Sequence, residues 1–466
     1  MALEDQQAVI RFREKQAQQP ARTGPIDSTW LRELALECGA DDVGFVAITR
    51  EELQPQMLKL TKLMPKVQTV ISLVCRMNRS AVQSTTRSVV NHEFHETYDE
   101  VNHVARKLVR KLSDAGYSAM NAVAAFPMEM QNFPGDTIPI HHKPIAEAAG
   151  LGKMGLHRNV IHPKFGNFVL LDSVLIAHEV TEQNKALDYS PCLDCKLCVS
   201  VCPVEAIGMD GTFNFSACYT HNYRDFMGGF VDWVDQIVEA KDRDDFRSRV
   251  HESETASVWQ SLSYKPNYKA AYCVSVCPAG EDVMGEFLDD RIAFNKEYVA
   301  PYKDIRERVY VLPGSDAEDS VPKRYPSKTA IRVGWALNPR DIFSFLVNLT
   351  LTFQRRQAKG MNVTVNLVMA GADSDAAPME ASLRIADGRF EALFWHAPEA
   401  DMTVTCSQAD FMAMFRQDFD LEAALGDGRV STSADAQTLR RLIKCFPRYG
   451  HYVPEVVRAE ASVAAE

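Results

Sequence analysis

The chain has 466 residues, 46% of them hydrophobic and 24% charged, and a formal net charge of −11. These values exclude a mainly disordered or fibrous protein and, at roughly 150 residues per domain, leave room for about three domains. The acidic balance speaks against a global electrostatic grip on nucleic acid or anionic membrane, although a local basic patch is compatible with it.

The N-terminus, MALEDQQAVIRFREKQAQQPARTGP, is polar and mixed in charge. It has no apolar core of a signal peptide and no twin arginine before one, so the expected location is cytoplasmic. Residues 1–25 read as an arm. From Asp27 an alternation of helix and strand begins. Asp27 or Ser28 can cap a helix carrying Trp30, Leu31, Leu34 and Leu36, and Gly39 can end it. Val43–Ile48 and Val67–Cys75 read as buried strands. Val101, Val104, Leu108 and Leu112 recur at helical spacing, with Gly116 as the stop. Phe168–Ala177 is the longest apolar run, but it is short and holds Asp172, so it reads as a buried strand and no membrane span is expected. This region extends over 26–185.

Residues 186–290 hold seven of the eleven cysteines. Residues 291–335 are rich in Pro, Asp, Lys and Ser and read as a linker. A further unit covers 336–450, with 451–466 as a tail. In it Ile342, Phe345, Leu346, Leu349 and Phe353 follow a helical period, Met361–Met369 alternates as a strand, and Asp387-Gly388 between two apolar runs is a hairpin signal. Met402, Val404 and Cys406 alternate again, and Phe411–Phe415 and Leu439–Phe446 read as helical.

The cysteine spacing carries the chemistry. Cys192-x2-Cys195-x2-Cys198-x3-Cys202-Pro203 places three thiolates on one tight loop, as a cubane cluster requires. In two-cluster ferredoxins the fourth cysteine turns away to a different cluster. Zinc sites seldom pack four cysteines so closely. Cys218 and Cys273-x3-Cys277-Pro278 supply a return motif. By the crossed pattern Cys192, Cys195, Cys198 and Cys277 hold a 4Fe-4S cluster, and Cys202, Cys218 and Cys273 remain for a second. The pattern places one more cysteine where Ala270 stands. The second site then holds a three-iron cluster, a four-iron cluster with an open or non-cysteine iron, or a degenerate remnant. Cys38, Cys75, Cys406 and Cys445 sit in apolar periodic segments and read as core thiols.

From Asp136 the chain runs DTIPIHHKPIAEAAGLGKMGLHRNVIHPKFGNFVLLDSVLIAHEV into the cysteine loop. Asp136-x2-Pro139, Ala149-Gly150-Leu151-Gly152-x2-Gly155, Asn159 and Phe165-Gly166-Asn167-Phe168, in this order ahead of the cysteines, resemble the cobalamin-dependent iron–sulfur reductases that include epoxyqueuosine reductase and the reductive dehalogenases. The resemblance covers about residues 27–285. It implies an α+β fold: a nitroreductase-like cobalamin-binding domain followed by a two-cluster ferredoxin domain. The chain lacks the Asp-x-His-x2-Gly lower-ligand motif, which agrees with base-off cobalamin.

The resemblance places Asp136 where these enzymes carry a proposed acid and Tyr98 near an active-site tyrosine; the plainer roles are a turn residue and a packed aromatic. Gly150, Leu151, Gly152, Gly155 and Asn159 are the expected cobalamin contacts, the glycines through close backbone approach to the corrin edge. The family's acidic–arginine pair is His142-Lys143 here, and both His141 and His142 read as surface residues. The C-terminal unit resembles the sterol carrier protein family through ASLRIADGRFEALFW, ADMTVTCSQADFMAMF and GDGRVSTSADAQTLRRLIKCF.

The expected function is reductive cleavage of a carbon–halogen or carbon–oxygen bond in a small, apolar substrate. An external low-potential donor such as ferredoxin or flavodoxin supplies the electrons, and no nucleic acid is a partner. The alternatives are an electron-transfer or corrinoid-handling protein without turnover, and a flavin-dependent reductase.

Overall fold

The computed structural model describes residues 2–18, 24–132, 137–335, 337, 339, 341–371 and 378–458. The chain divides into two compact units. The first takes the chain up to Gln131, then onward to Cys195, and finally Cys277–Phe294; the second holds Lys196–Val276 and the chain from Asn295 on. Both boundaries fall inside cysteine motifs, so residues 186–290 do not form a unit of their own.

In the first unit the helix Ser28–Cys38 starts on Asp27, whose carboxylate accepts from the Trp30 N–H, and stops at Gly39 with φ +116°. Strands β1 (Asp42–Ala47), β2 (Thr69–Arg76), β3 (Ala119–Asn121) and β6 (Val169–Ile176) form an antiparallel sheet in the order β1-β2-β6-β3. Strands β4 (Lys153–Met154) and β5 (Val160–Ile161) form a separate small hairpin. On β2, Ile71, Leu73 and Cys75 face a core shared with Val101, Val104 and Leu108 of the helix Arg87–Asp114. Val70 and Val74 face the other side, with Ile145 and Ala146 of the helix His142–Ala148. Burial on both faces explains why β2 and β6 read as continuous apolar runs rather than alternating ones. The helix Arg87–Asp114 begins well before Val101, because its first turns are mostly polar and give no apolar period.

In the second unit the stretch read as a linker is folded. Strands β7 (Arg308–Val311) and β8 (Thr329–Arg332) pair in parallel, joined by the helix Asp316–Arg324. The polar residues that gave the linker signal sit at caps and ends: the Ser315 hydroxyl accepts from the Glu318 N–H. The apolar ones, Val309, Val311, Val321, Ile331 and Val333, are buried. A β–helix–β unit this short has too few apolar residues to show a period.

Strands β9 (Val363–Ala370), β10 (Met379–Ala386), β11 (Arg389–Leu393), β12 (Met402–Ser407) and β13 (Val430–Thr432) form a second sheet in the order β11-β10-β9-β12-β13. Asp387 and Gly388 both take positive φ, 52° and 69°, as a tight two-residue hairpin turn demands. The helices Ile342–Thr352 and Ala436–Lys444 bury Leu346, Leu349, Leu439 and Leu442 in the core of this sheet. Strand β14 (Glu455–Val456), within the expected tail, adds to β8.

One buried ion cluster stands out in this unit. Arg224 is 2% exposed; its Nη2 lies 2.6 Å from Asp232 Oδ2 and its Nε donates to Glu254 Oε1 at 2.7 Å. Tyr310 donates its hydroxyl to Glu254 Oε2 at 2.9 Å. Removing one partner from such a cluster strands buried charges. Arg224→Ala is therefore expected to cost about 3–5 kcal/mol in denaturant unfolding. Arg440→Ala, which breaks an exposed pair with Glu422, is expected to leave the unfolding midpoint close to that of the wild type, because solvent screens such a pair.

Candidate functional site

All eleven cysteines are free thiols. In the first unit Cys277 is buried with Ile161 and Ala279, and Cys192 packs against the same group. A backbone crossing places it there. Residues 162–166 form a tight turn in which His162 and Gly166 exchange N–H···O bonds at 2.8 and 2.9 Å. The return strand docks on this turn through Glu281 N–H to Pro163 O at 2.8 Å and Asp282 N–H to Lys164 O at 3.0 Å. Any side chain at Gly166 would collide with the Ala279 carbonyl, and one at Gly280 with the Gly166 backbone. The glycine of Phe165-Gly166-Asn167-Phe168 thus serves the placement of Cys277.

In the second unit Cys198 lies in the short helix Leu197–Val201, and Cys202 closes that helix. The surrounding loop is coiled against its preference: Asp194, Lys196 and Glu205 have φ of 53°, 61° and 50°. Such left-handed positions are uncommon outside glycine and cluster at functional sites. Beside Glu205, Ala206 N–H donates to Cys202 Sγ at 3.2 Å. Burial pushes the Cys202 thiol up, opposed by N–H groups of Val204, Ala206 and Ile207.

Cys218 sits on the helix Phe215–Asn222, started by Asn214, and Cys273 on the short helix Tyr272–Ser275. The segment before Cys273 is tied to the end of the Cys218 helix. Lys269 N–H donates to Asn222 O at 3.0 Å and Ala270 N–H to Asn222 Oδ1 at 2.8 Å. Burial, and then Cys218, Tyr268 and Cys273 nearby, push the Tyr223 phenol well above its usual value. Among the described residues no three His, Cys, Asp or Glu side chains converge on one point. A cubane does not ask them to, since each thiolate binds its own iron.

Asp136 lies outside the described residues. The segment that leads toward it is clamped at successive positions. Ala122 N–H donates to Ser173 O at 3.2 Å. His142 Nε2 donates to Val123 O at 2.9 Å. Asn102 Oδ1 lies 3.5 Å from Ala124 N. The Tyr98 hydroxyl donates to Phe126 O at 2.7 Å and accepts from the N–H groups of Phe126, 2.7 Å, and Ala125, 3.3 Å. That exhausts the hydrogen bonds a phenol can make. The expected proton donor is occupied in holding a loop.

The glycines also differ from expectation. Side chains at Gly150, Gly152 and Gly155 would collide with the Lys185 carbonyl, with Ile161 O and Val160, and with Ile161 and His157 respectively. The close approach they permit is to the protein's own chain, mostly its β4–β5 hairpin, because the motif folds onto itself and leaves no free edge. Leu151 is buried beside them. Asn159 Oδ1 accepts from Lys143 Nζ at 2.9 Å.

Three buried polar side chains had no counterpart among the sequence expectations, which put His142 at the surface and gave His157 and Asp172 no role. His142 is buried: its Nε2 is fixed as a donor to Val123 O, so Nδ1, 2.9 Å from Ser173 Oγ, accepts. Burial lowers it to about 4. Burial also lowers His157 to about 4. His157 Nδ1 accepts from Asn159 N–H at 3.1 Å, which leaves its buried Nε2 with a proton and no partner among the described residues. Asp172 is fully buried, and burial pushes it up to about 8. Single polar residues inside apolar runs carry no periodic signal.

An acid raised from 3.8 to about 8 in the folded chain leaves full stability below the lower value and withdraws it as pH rises through the higher one. Asp172→Asn keeps the acceptor for the Ser173 N–H, 2.7 Å away, and removes the titration. Its urea midpoint is expected to fall less than that of the wild type between about pH 4 and pH 8. An unchanged pH dependence would show that Asp172 is ionised in the fold.

Residues 186–208 match the family model described as "4Fe-4S binding domain". The epoxyqueuosine reductase of Atelocyanobacterium thalassa is 27% identical over 172 residues, 36% of this chain and 52% of that protein. This chain is similar to the epoxyqueuosine reductases. It spans about half the length of these curated relatives or less. Among solved structures, a reductive dehalogenase described through B12-dependent dehalogenation aligns at TM-score 0.33 and 14% identity, over 51% of this chain and 36% of that one. An epoxyqueuosine reductase solved with an epoxyqueuosine-modified tRNA-Tyr stem loop aligns at TM-score 0.29 and 16% identity, over 41% and 56%.

These relatives correct two expectations. The exclusion of nucleic acid gives way, since an enzyme of the similar family is solved with tRNA. The small apolar substrate loses its ground for the same reason. Both rested on net charge and on the C-terminal unit, and a chain-wide charge does not describe a local surface. On the exposed face of the helix Arg87–Asp114, His103, Arg106, Lys107 and Arg110 line one groove, and none has a carboxylate partner among the described residues. No described helix is long and apolar enough to cross a membrane.

Proposed function

We propose that the protein is an iron–sulfur and cobalamin-dependent reductase that removes the oxygen of an epoxide carried on an RNA nucleoside. The observation that carries this reading is the cysteine framework. Cys192 and Cys277 are drawn together by the glycine crossing, and Cys202 is cradled by backbone N–H groups as a thiolate ligand is.

In this reading Cys202, Cys218 and Cys273 of the second unit hold one cluster, and the remaining cysteines of the framework supply the other. Cobalamin, when bound, would supply a strongly reducing cobalt centre, and the cysteines would hold the clusters that link it to a low-potential donor. The buried His157 Nε2–H, unpartnered among the described residues, suits an acceptor on the periphery of that cofactor. Gly150, Leu151, Gly152, Gly155 and Asn159 act indirectly, by shaping the hairpin on which His157 sits. Asp136 delivers a proton to the oxygen as its bond to carbon breaks. Tyr98 and His142 fix the segment 122–126 that leads to Asp136.

RNA fits the basic groove on the helix Arg87–Asp114. Four basic groups within about two helical turns suit a row of phosphates, and an acidic chain otherwise repels them.

The test is anaerobic reconstitution with iron, sulfide and cobalamin, followed by incubation with an epoxide-bearing RNA stem loop and a low-potential donor. Loss of one oxygen from the nucleoside by mass spectrometry is expected. Asp136→Asn should lower the rate by about 10²–10⁴-fold while the bound-cobalamin absorption spectrum stays unchanged. Loaded protein that leaves the epoxide intact overturns the reading.

Two binding measurements separate its parts. His157→Phe should weaken cobalamin binding in a spectral titration without loss of iron. Arg106→Glu with Arg110→Glu should weaken RNA binding across sequences and lower the salt slope by about one for each phosphate no longer neutralised.

A further inference from the structure

The second cysteine set is one ligand short, and the second unit shows what stands in the gap. Ala270 occupies the position where the pattern places a cysteine. Its backbone is fixed as a ligand position would be, by the N–H to Asn222 Oδ1 at 2.8 Å, but its methyl group has nothing to give an iron.

Asp225, fully buried, is the carboxylate nearest in sequence on the Cys218 side. It is committed to the Ser257 hydroxyl at 2.6 Å, Asn267 Nδ2 at 3.1 Å and Lys269 Nζ at 3.3 Å. Asn222 Oδ1 is engaged by Ala270 itself. The chain around Ala270 and its partner Asn222 is rich in aromatics. Tyr223, Phe226 and Tyr268 pack edge to face, with ring centres 5.4, 5.6 and 5.5 Å apart. Tyr219 adds a fourth ring at 5.8 Å from Tyr223. Phe226 and Tyr219 are buried.

We infer that the second cluster is a three-iron cluster held by Cys202, Cys218 and Cys273, with its empty corner at Ala270. This rests on the reading of the chain as an iron–sulfur protein, and it goes further by fixing the cluster type.

The experiment is electron paramagnetic resonance with iron and sulfide analysis on the anaerobically reconstituted full chain. Three observations are expected. The oxidised protein gives the signal of a three-iron cluster at about one spin per chain, and its iron content is one short of two cubanes. Added ferrous iron under reducing conditions does not abolish the signal on reoxidation. Ala270→Cys loses the signal and gains the missing iron, whereas Cys218→Ser and Cys273→Ser each lose the signal without gaining iron.

Wild-type protein with the iron of two cubanes and no such signal overturns the inference, whether water or a tyrosine fills the corner. So does a signal that ferrous iron removes, since it marks a damaged four-iron cluster. A signal that survives Cys273→Ser belongs to the other cluster and overturns it as well. If Ala270→Cys does not fold, the wild-type iron count and the ferrous-iron test still decide. Protein that takes up no iron at all brings down the iron–sulfur reading together with this one, whereas two complete cubanes bring down this one alone.

Discussion

The contact between Gly166 and the Ala279-Gly280 backbone is the constraint on which the first unit's half of the cysteine framework depends. Two backbones meet with no room for a methyl group between them. Because they meet, residues far apart in the chain can exchange hydrogen bonds at 2.8 and 3.0 Å, and Cys277 comes to rest beside Ile161, against which Cys192 also packs. A side chain at either glycine would push the return strand away and take Cys277 with it. The cost would exceed that of an ordinary core substitution, because what must move is main chain already held by its own hydrogen bonds.

A second theme is the use of neutral buried polar groups to fix loops. Tyr98, Asn102 and His142 come from two helices and bind the connecting backbone between Val123 and Phe126. None of these bonds involves an ion. A charge there would have to be desolvated, whereas a neutral imidazole and a phenol fill their hydrogen bonds without that penalty. Asp172 follows the same rule, since burial holds its carboxyl protonated up to about 8. Charge is tolerated inside the second unit only where it is compensated, as around Arg224.

Glycines illustrate how a motif specifies a forbidden side chain without naming what forbids it. The spacing of Gly150, Gly152 and Gly155 says that a side chain is forbidden at each position. It does not say what forbids it. A cofactor edge was the expectation; the structure places the protein's own chain there. The linker had the same origin. Ser315 caps a helix there and Pro322 lies within it, so a short β–helix–β unit carries the same residue types as a disordered connection.

Local chemistry alone set the cysteine spacing, the cap at Asp27, the hairpin at Asp387-Gly388 and the buried runs of β2 and β6. Each of these depends on residues within one turn, one strand or one loop, so neighbours along the chain carry the whole signal. Only the tertiary structure decided that Tyr98 is spent on a loop, that His142 and His157 are buried and neutral, and that four basic side chains share a groove with no acidic partner among the described residues. Those properties depend on what lies across space from each residue. Burial, partner and field belong to pairs of segments brought together by folding, and no single segment contains them.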